Sequence, residues 1–366
     1  MDSVQWRKVL ILQTGFLGDT VLTLPLLSEI KIRFPAAKLV LLCGPLAREL
    51  VQDHPDIDEI IVDDKKGADR GWRGLWRKSM ALKKMEFSLA LTPHKSLRSA
   101  LMLYFAGIPL RVGFCQSAGW FLLHRRVPRP AQRHDVERNL SLLRAFGIEP
   151  EQCHRSLRLP AAPASEAAVA ALLRSLGIDL EKPLIGVNPG SVWATKRWSA
   201  EGFARAIQMI KERYPCAVLL LGGPEDAPVA ARIEELCRGA AVNLAGKIAL
   251  REMPALLRRC RLLLTNDSAP MHMGVACGVP IVAIFCATTP ALGFYPYSAD
   301  AIVLGKELSC RPCGSHGGRR CPLATEDCIR LITPALVLQA AVKLLERKKA
   351  AEPVGNAAFT PEFMSV

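Results

Sequence analysis

The stretch Lys8-Val-Leu-Ile-Leu-Gln13, followed directly by Thr14-Gly-Phe-Leu-Gly-Asp-Thr20, decides the fold class of this chain. Its mostly apolar first part predicts a short buried strand. Gly15 and Gly18 then allow a tight turn into a helix that begins near Asp19. A buried strand that passes straight into a helix is the unit from which parallel α/β sheets are built.

The same alternation of apolar runs and amphipathic stretches continues along the whole chain. The further predicted strands are Lys38–Leu42, Glu59–Val62, Phe87–Leu91, Leu184–Asn188, Ala217–Leu221, Val242–Leu244, Arg261–Thr265 and Pro280–Phe285. Two such series predict two Rossmann-like α/β domains, 1–160 and 161–350. The Pro/Ala segment Leu159–Ser165 favours extended backbone and suits a linker. Residues 351–366 are predicted to form a disordered tail.

Composition and charge limit the classes of protein to which this chain can belong. The chain has 366 residues, of which 50% are hydrophobic and 22% charged, which excludes a disordered or fibrous protein. The net charge of +14 implies an anionic partner: nucleic acid, a membrane surface or a phosphorylated substrate. Residues 65–98 are rich in Lys and Arg, with only Asp69 and Glu86 as acids. This basic run is interpreted either as a solvated face or as a binding face.

The sequence also bears on location. No signal peptide is visible before the first strand, so we expect a cytoplasmic protein. Residues 268–299 contain no Asp, Glu, Lys or Arg, but prolines and glycines interrupt them. They therefore predict a buried helix followed by a buried strand rather than a membrane span. Twelve cysteines without an export signal are expected to be reduced thiols.

Three loops that come after predicted strands carry phosphate-binding chemistry. Ser191 and Lys196 follow the first strand of the second domain and offer a hydroxyl and a compact positive charge to a diphosphate. Glu225 follows a glycine turn and suits ribose hydroxyls, although it or its neighbour Asp226 can equally cap the next helix. Each loop alone is only moderately specific.

The strongest local signal is the stretch from Leu264 to Gly274. Asp267 and Ser268 are predicted to cap a helix at a strand end, whose free N–H groups and dipole create an anion site. His272 lies about one turn into that helix, on the cleft side if Asp267 is the cap. Combined with the Lys196 loop, this helix favours binding of a nucleoside diphosphate.

The chain resembles glycosyltransferase family 9, the ADP-heptose:lipopolysaccharide heptosyltransferases, over essentially its whole length to about residue 345. The segments that carry the resemblance are Gly15–Thr20, Asn188–Ser191 with Lys196-Arg-Trp198, Gly222–Glu225, Asn243-Leu-Ala-Gly246 and Asn266–His272. The resemblance implies a GT-B fold, in which two Rossmann-like domains face each other across a cleft. The N-terminal domain would receive the acceptor, and the C-terminal domain would hold ADP-heptose.

The resemblance also implies residue roles and an inverting transfer without a catalytic cofactor. Asp19 matches the general base and Lys196 the lysine on the donor diphosphate. The residues that match donor contacts are Ser191, Glu225, Asp267, Ser268, Ala269 and His272. The implied acceptor is the anionic inner core of lipopolysaccharide (heptosyl-Kdo-lipid A), at the cytoplasmic face of the inner membrane. Candidate acceptor contacts are Lys83, Lys84, His94 and Arg98.

Four cysteines are clustered in sequence, unlike the scattered thiols expected in the core. Cys310, Cys313, Cys321 and Cys328 lie within a Gly-rich basic segment. The first pair has C-x₂-C spacing, which suits a structural zinc or iron, while the other spacings are irregular for known zinc motifs. Similar cysteines in the second-heptose enzymes of the family favour that subtype.

Two alternative functions stay open. A related glycosyltransferase that uses another nucleotide sugar or a protein acceptor would need the same loops. A non-catalytic nucleotide- or nucleic-acid-binding protein would explain the basic charge. No aromatic-interleaved basic motif of the usual recognition folds is present, so a nucleic-acid partner is not expected.

Overall fold

The computed structural model describes residues 6–347 and 359–365, with the side chain of Ser365 left out. The chain divides into two compact units between Arg158 and Leu159. Each unit contains one parallel sheet with helices between its strands, so the predicted pair of α/β domains is confirmed. The Pro/Ala segment predicted as a linker is short, because helix α7 already begins at Pro163.

The first unit contains six parallel strands within residues 6–158. They are β1 (Lys8–Gln13), β2 (Lys38–Cys43), β3 (Glu59–Val62), β4 (Leu89–Thr92), β5 (Leu110–Phe114) and β6 (Arg125–Val127). Its helices are α1 (Leu17–Val21), α2 (Leu24–Arg33), α3 (Pro45–Val51), α4 (Gly71–Lys83), α5 (Leu97–Phe105) and α6 (Asp135–Leu140). The strand order is β3-β2-β1-β4-β5-β6. The order reverses between β1 and β4, and ligands bind at the carboxyl ends of strands at such a reversal.

The strand prediction missed β5 and β6 for a recognisable reason. Arg111 interrupts the apolar run of β5, and β6 is a three-residue edge strand that begins with two exposed arginines. Charged side chains are common on edge strands because they discourage pairing with another chain. Neither strand therefore shows the continuous apolar pattern by which the central strands were recognised.

The second unit contains seven parallel strands within its described residues. They are β7 (Leu184–Asn188), β8 (Ala217–Leu220), β9 (Val242–Asn243), β10 (Cys260–Asn266), β11 (Ile281–Phe285), β12 (Ala301–Gly305) and β13 (Glu362–Ser365). Its helices are α7 (Pro163–Ser175), α8 (Ala200–Arg213), α9 (Ala227–Leu236), α10 (Met253–Arg259), α11 (Ala269–Ala276), α12 (Asp327–Arg330) and α13 (Pro334–Glu346). The order is β13-β12-β11-β10-β7-β8-β9, with its reversal between β7 and β10.

The uncharged segment 268–299 folds as predicted, with α11 followed by the buried strand β11. Gly274 lets α11 pack closely on the sheet, because an added Cβ would lie 2.7 Å from side-chain atoms of Leu263 and Ile281. Among the described residues, no helix has the length and apolar character needed to cross a membrane.

The prediction of a disordered tail over 351–366 is wrong for its last part. Residues 362–365 form β13, which pairs in parallel with β12 at the edge of the second sheet. Glu362 also forms ion pairs with Lys343 and Arg347, and these pairs help to hold the strand beside α13. Residues 351–358 and 366 lie outside the described part of the chain.

Candidate functional site

Asp19 lies on α1, immediately beyond the carboxyl end of the central strand β1. Its Oδ2 accepts a hydrogen bond from the backbone N–H of Phe16 at 2.8 Å. A Cβ at Gly15 would lie 2.4 Å from the same oxygen, so only glycine leaves room for this carboxylate. Asp19 therefore does reach back to the start of its helix, and that contact leaves its second oxygen for other work.

The electrostatic surroundings of Asp19 suit proton transfer. Burial is the largest cause that raises the pKa of Asp19, to about 6, and the nearby carboxylate of Asp135 adds to the rise. The Phe16 N–H, Arg129 and Lys65 act in the opposite direction. A carboxylate whose pKa lies near the working pH is ionised at neutral pH yet basic enough to accept a proton.

A buried polar network supports the helix of Asp19 from behind. The hydroxyl of Thr23 donates to the backbone carbonyl of Asp19 at 2.7 Å and accepts from Gln13 Nε2 at 3.2 Å. Asn139 Nδ2 donates to the carbonyl of Leu22 at 3.1 Å. The sequence analysis missed these supporting residues, although a glutamine at the end of an apolar strand is a signal that could have been noted.

His94 lies beyond the end of β4, on the other side of the strand reversal from Asp19. Its Nδ1 is 3.2 Å from Thr14 Oγ1 and 2.9 Å from Ser99 Oγ. Burial, together with Lys65 and Lys95, lowers the pKa of His94 to about 4, so the ring is neutral at physiological pH. The structure thus places His94 at the same edge of the sheet as Asp19, as an uncharged polar group.

Two cations that the sequence analysis did not single out as site residues lie near Asp19. Lys65 Nζ donates to the carbonyl of Thr14 at 2.5 Å, and burial lowers the pKa of Lys65. Arg129 forms an ion pair with the buried Asp135. Both lie in loops, and only the packing of α6 and the β3–α4 loop against the sheet brings them near α1.

The structure does not bring Lys83 and Lys84 together with this site, contrary to the acceptor-contact prediction. They end α4 just before β4, and nearby Ser88 donates its N–H to the carbonyl of Lys8, at the start of β1. Because all strands of the sheet are parallel, this is the edge opposite to Asp19. The sequence alone did not show that α4 runs back across the sheet and carries Lys83 and Lys84 to its opposite edge.

Arg98 does lie at the carboxyl edge, but its guanidinium holds other parts of the unit together. Its Nη2 donates to Asp63 Oδ1 at 2.9 Å and to the carbonyl of Asp69 at 2.8 Å, and its Nη1 donates to the carbonyl of Gly71. These bonds join the start of α5 to the β3–α4 loop. Arg98 is therefore a structural residue here.

In the second unit, Lys196 and Asp267 come from loops that follow the neighbouring strands β7 and β10. Lys196 Nζ lies 2.7 Å from Asp267 Oδ2, and both side chains are largely buried. Thr288 Oγ1 donates to the same carboxylate oxygen at 2.6 Å. The predicted phosphate-binding lysine is thus positioned by an ion pair at the strand reversal.

The beginning of α11 is open to an anion. Ser268 occupies the N-cap position, but its side chain makes no capping hydrogen bond to the helix, and Ala269 is the first helical residue. The carboxylate of Asp267 pairs with Lys196 instead of capping, which corrects the predicted role of both residues as caps. Pro270 has no N–H, and the N–H of Met271 donates to the carbonyl of Ser268 at 3.1 Å. The N–H groups at the start of the helix that suit a phosphate are therefore those of Ser268 and Ala269.

His272 lies one turn into α11 and is buried, and its Nδ1 has no hydrogen-bond partner. Burial lowers the pKa of His272 to about 4; Lys196 also lowers it, and Asp267 opposes the shift. A neutral buried imidazole with an unused ring nitrogen is costly unless a ligand completes its hydrogen bonding. Asn188 Oδ1, at the end of β7, is a second buried polar atom without a partner.

Ser191 and Glu225 differ in how firmly they are held. Ser191 is buried, and its carbonyl accepts from Arg197 Nε at 2.7 Å. Glu225 is exposed, while its neighbour Asp226 is buried and accepts the N–H of Gly223 at 3.1 Å. Asp226 occupies the N-cap position of α9, but its side chain bonds the turn before the helix instead of a helical N–H, and Glu225 keeps its carboxylate accessible.

The four cysteines of the predicted metal cluster do not form a metal site. Among the described residues, no group of three or more His, Cys, Asp or Glu side chains is arranged to hold a metal ion. All four are free thiols, and burial raises the pKa of Cys328 to about 11, with Cys313, Cys321 and Cys310 adding to the rise. The four thiols therefore lie near enough to interact electrostatically, but they do not have the arrangement of a metal site.

Comparisons with known proteins identify heptosyltransferases as relatives of this chain. Lipopolysaccharide heptosyltransferase 2 of Salmonella typhimurium is 28% identical over 299 residues, which cover 77% of this chain and 84% of that protein. A solved family 9 glycosyltransferase from Veillonella parvula has a TM-score of 0.85 at 25% identity and covers 94% of this chain and 98% of that one.

A second solved structure with a similar fold is that of an enzyme whose name includes its donor, ADP-heptose. The E. coli ADP-heptose lipopolysaccharide heptosyltransferase II structure has a TM-score of 0.76 at 24% identity, over 94% of this chain and 100% of that one. The sequence profile of glycosyltransferase family 9 (heptosyltransferase) matches residues 75–322. With its two parallel α/β domains, this chain is a GT-B glycosyltransferase and belongs to glycosyltransferase family 9, the heptosyltransferases.

Proposed function

We propose that this enzyme transfers heptose from ADP-heptose to the inner core of lipopolysaccharide, with inversion at the anomeric carbon. The observation that carries the proposal is the anion site of the second unit, where Lys196, the open N-terminus of α11 and the unpartnered His272 come together. The names of the Salmonella and E. coli relatives support heptose and the lipopolysaccharide acceptor, and favour addition of the second heptose.

The proposed reaction divides its work between the two units. Asp19 accepts the proton of an acceptor hydroxyl, whose oxygen forms the new bond to the anomeric carbon of heptose. The bond between that carbon and the β-phosphate oxygen breaks, and ADP leaves with the electron pair. Lys196 and the N–H groups of α11 stabilise the charge that develops on the leaving diphosphate.

The remaining donor contacts are assigned by position. Ser191, Ser268 and Ala269 border the anion site and are assigned to the phosphates and the sugar. Glu225 is assigned to the ribose, because its exposed carboxylate follows a glycine turn at the end of β8. No catalytic cofactor takes part in this scheme, since Lys196 and backbone dipoles supply the charge stabilisation.

The acceptor belongs to the first unit. Lys65 and Arg129 lie near Asp19 and His94, and they replace Lys83 and Lys84 as the cations assigned to the anionic core. An acceptor anchored by lipid A requires the enzyme to work as a peripheral protein at the cytoplasmic face of the inner membrane.

A donor screen with the purified enzyme tests the proposal. With heptosyl-Kdo-lipid A as acceptor, mass spectrometry is expected to detect one added heptose from ADP-heptose and none from UDP- or GDP-sugars. Turnover of another nucleotide sugar, or modification of a protein acceptor, would assign a different family activity. Salt-dependent RNA binding without turnover of any sugar donor would overturn the enzymatic assignment.

A further inference from the structure

An unusual set of aromatic side chains is exposed on the first unit. Three of the six tryptophans of the chain, Trp72, Trp76 and Trp120, are exposed, and Tyr104 and Phe121 are exposed beside them. With the half-buried Phe105 they form what we call the aromatic surface. Trp72 is 59% and Phe121 60% exposed, values that are unusual for side chains which normally dominate cores.

The aromatic surface is continuous across three neighbouring elements. Phe105 on α5 contacts Trp72 and Trp76 on α4, with ring centroids 5.5 and 5.4 Å apart. Tyr104, next to Phe105, lies under the guanidinium of Arg111 at 5.4 Å. Arg111 in turn donates to the carbonyl of Leu122, in the 3₁₀ turn that carries the third tryptophan. These contacts join the rings into one patch rather than isolated exposed residues.

The charge around this patch is strongly positive. Residues 65–126 contain 13 Lys and Arg but only two acids, Asp69 and Glu86. Arg73 and Arg126 are exposed at the patch, and the guanidinium of Arg126 lies 5.1 Å from the ring centre of Trp120. Asp69 is buried and paired with Arg77 and Lys78, so it neutralises part of their charge rather than that of Arg73 and Arg126.

We propose that the aromatic surface is a docking site for a phospholipid bilayer with anionic headgroups. Tryptophan and tyrosine favour the boundary between headgroups and acyl chains, because their rings are apolar at one end and polar at the other. Arginines that flank them add attraction to anionic lipid. A soluble partner protein would also contact exposed aromatic rings, but the exposed arginines that flank these rings, Arg73 and Arg126, match anionic headgroups.

The position of the patch also suits the proposed acceptor, a point that rests on the proposed function. Arg98 bonds the carbonyl of Gly71, which places the first turns of α4 and α5 together at the sheet edge that carries Asp19 and His94. The Trp72 end of the aromatic surface therefore lies near the edge where a lipid-anchored acceptor would enter the first unit, while Tyr104 and Arg111 lie toward the opposite edge.

Vesicle binding by the full chain, with neither donor nor acceptor added, tests the docking site independently of catalysis. The enzyme is mixed with vesicles of phosphatidylcholine alone or with phosphatidylglycerol in equal parts, and sedimented. We expect binding to the anionic vesicles to weaken with salt. Trp72→Ser/Trp76→Ser is expected to lower the partition coefficient roughly tenfold or more, because two interfacial side chains are lost.

Two comparisons keep the outcome interpretable. Ile32→Ser/Leu176→Ser removes exposed apolar side chains elsewhere and is expected to bind vesicles like the unaltered enzyme. Arg73→Gln/Arg126→Gln is expected to weaken binding to anionic vesicles only. Brominated lipid should quench the exposed tryptophans of the bound enzyme. A melting temperature unchanged in the Trp72→Ser/Trp76→Ser enzyme excludes unfolding as the cause.

Two results would overturn the docking site. The Trp72→Ser/Trp76→Ser enzyme could retain full binding to anionic vesicles, which would place the contact elsewhere. Alternatively, sedimentation velocity could show that the unaltered enzyme dimerises, that the variant is monomeric and that neither binds vesicles. That second pattern would assign the aromatic surface to a second copy of the chain.

Discussion

Lys196 Nζ and Asp267 Oδ2 are 2.7 Å apart, and Thr288 donates to the same carboxylate oxygen, so the lysine proposed to bind the diphosphate is held in place by the protein itself. An ion pair this well buried is strongly destabilising to break from one side, because the remaining charge is left without a partner. Its two members therefore contribute to both folding and donor binding, and these contributions can be separated.

Lys196→Met is expected to lower the free energy of unfolding by about 3–5 kcal/mol, since Asp267 becomes a buried charge without its partner. The double variant Lys196→Met/Asp267→Asn is expected to regain most of that stability, because no isolated charge remains. Both should stay nearly inactive with ADP-heptose. Chemical denaturation and steady-state kinetics measure the two effects, and recovered activity in the double variant would contradict the proposed role of Lys196.

Asp19→Asn is expected to lower kcat by about 10²–10⁴, the usual contribution of a general base. The amide keeps an oxygen that can accept the Phe16 N–H, so the helix start should persist. Near-normal kcat in this variant would reduce Asp19 to a helix-capping residue. Gln52→Ala, in an exposed position at the end of α3 on the same unit, serves as a control for nonspecific loss of activity.

The same substitution should make the protein more stable at neutral and alkaline pH. The pKa of Asp19 is raised from 3.8 to about 6, so the folded state holds its proton more tightly than the unfolded chain does. Stability from this group is therefore full below pH 3.8 and lost as the pH rises to about 6. We expect Asp19→Asn to melt at a higher temperature at pH 8, with the difference vanishing toward pH 4. An equal difference at both pH values would refute the raised pKa.

The pH dependence of kcat/KM gives a separate test. If Asp19 must be ionised to accept a proton, kcat/KM should fall tenfold per pH unit below a pKa of about 6. The pKa values of His94 and His272 are both lowered to about 4, so neither histidine should cause a change in kcat/KM between pH 6 and 7. A flat profile down to pH 5 would mean that Asp19 is not the base.

His272→Leu is expected to weaken ADP binding roughly tenfold, the value of one hydrogen bond to a buried donor or acceptor. The melting temperature should hold or rise, because the substitution removes a buried ring nitrogen that has no partner in the protein. Isothermal titration calorimetry with ADP measures the affinity. Unchanged affinity would show that the imidazole does not contact the nucleotide.

Glu225→Gln and Asp226→Asn form a matched pair on adjacent residues. The first should weaken ADP binding without changing the melting temperature, because Glu225 is exposed. The second should mainly lower stability, since Asp226 is buried, bonds Gly223 and lies against Gly190. The opposite pattern would move the proposed ribose contact from Glu225 to Asp226.

The sequence by itself determined the two α/β units, the central strands and the loops that bear chemistry. Local physics explains this success: apolar runs such as Lys8–Gln13 indicate burial, and Gly15 and the Asn266–His272 stretch indicate the turns in which parallel strands end. The strands β5, β6, β12 and β13, which lie at or next to a sheet edge, escaped prediction. β5, β6 and β13 lack a continuous apolar run, so only pairing with a neighbour reveals them. β12 does have such a run, from Ala301 to Leu304, which the prediction overlooked.

Only the tertiary structure decided which charged groups meet. Lys196 and Asp267 are separated by much of a domain in sequence, yet the neighbouring strands β7 and β10 bring them within 2.7 Å. The same packing puts Lys65 and Arg129 near Asp19 and sends Lys83 and Lys84 to the opposite sheet edge. Charge along a chain carries no direction in space, and helix lengths and strand order supply that direction.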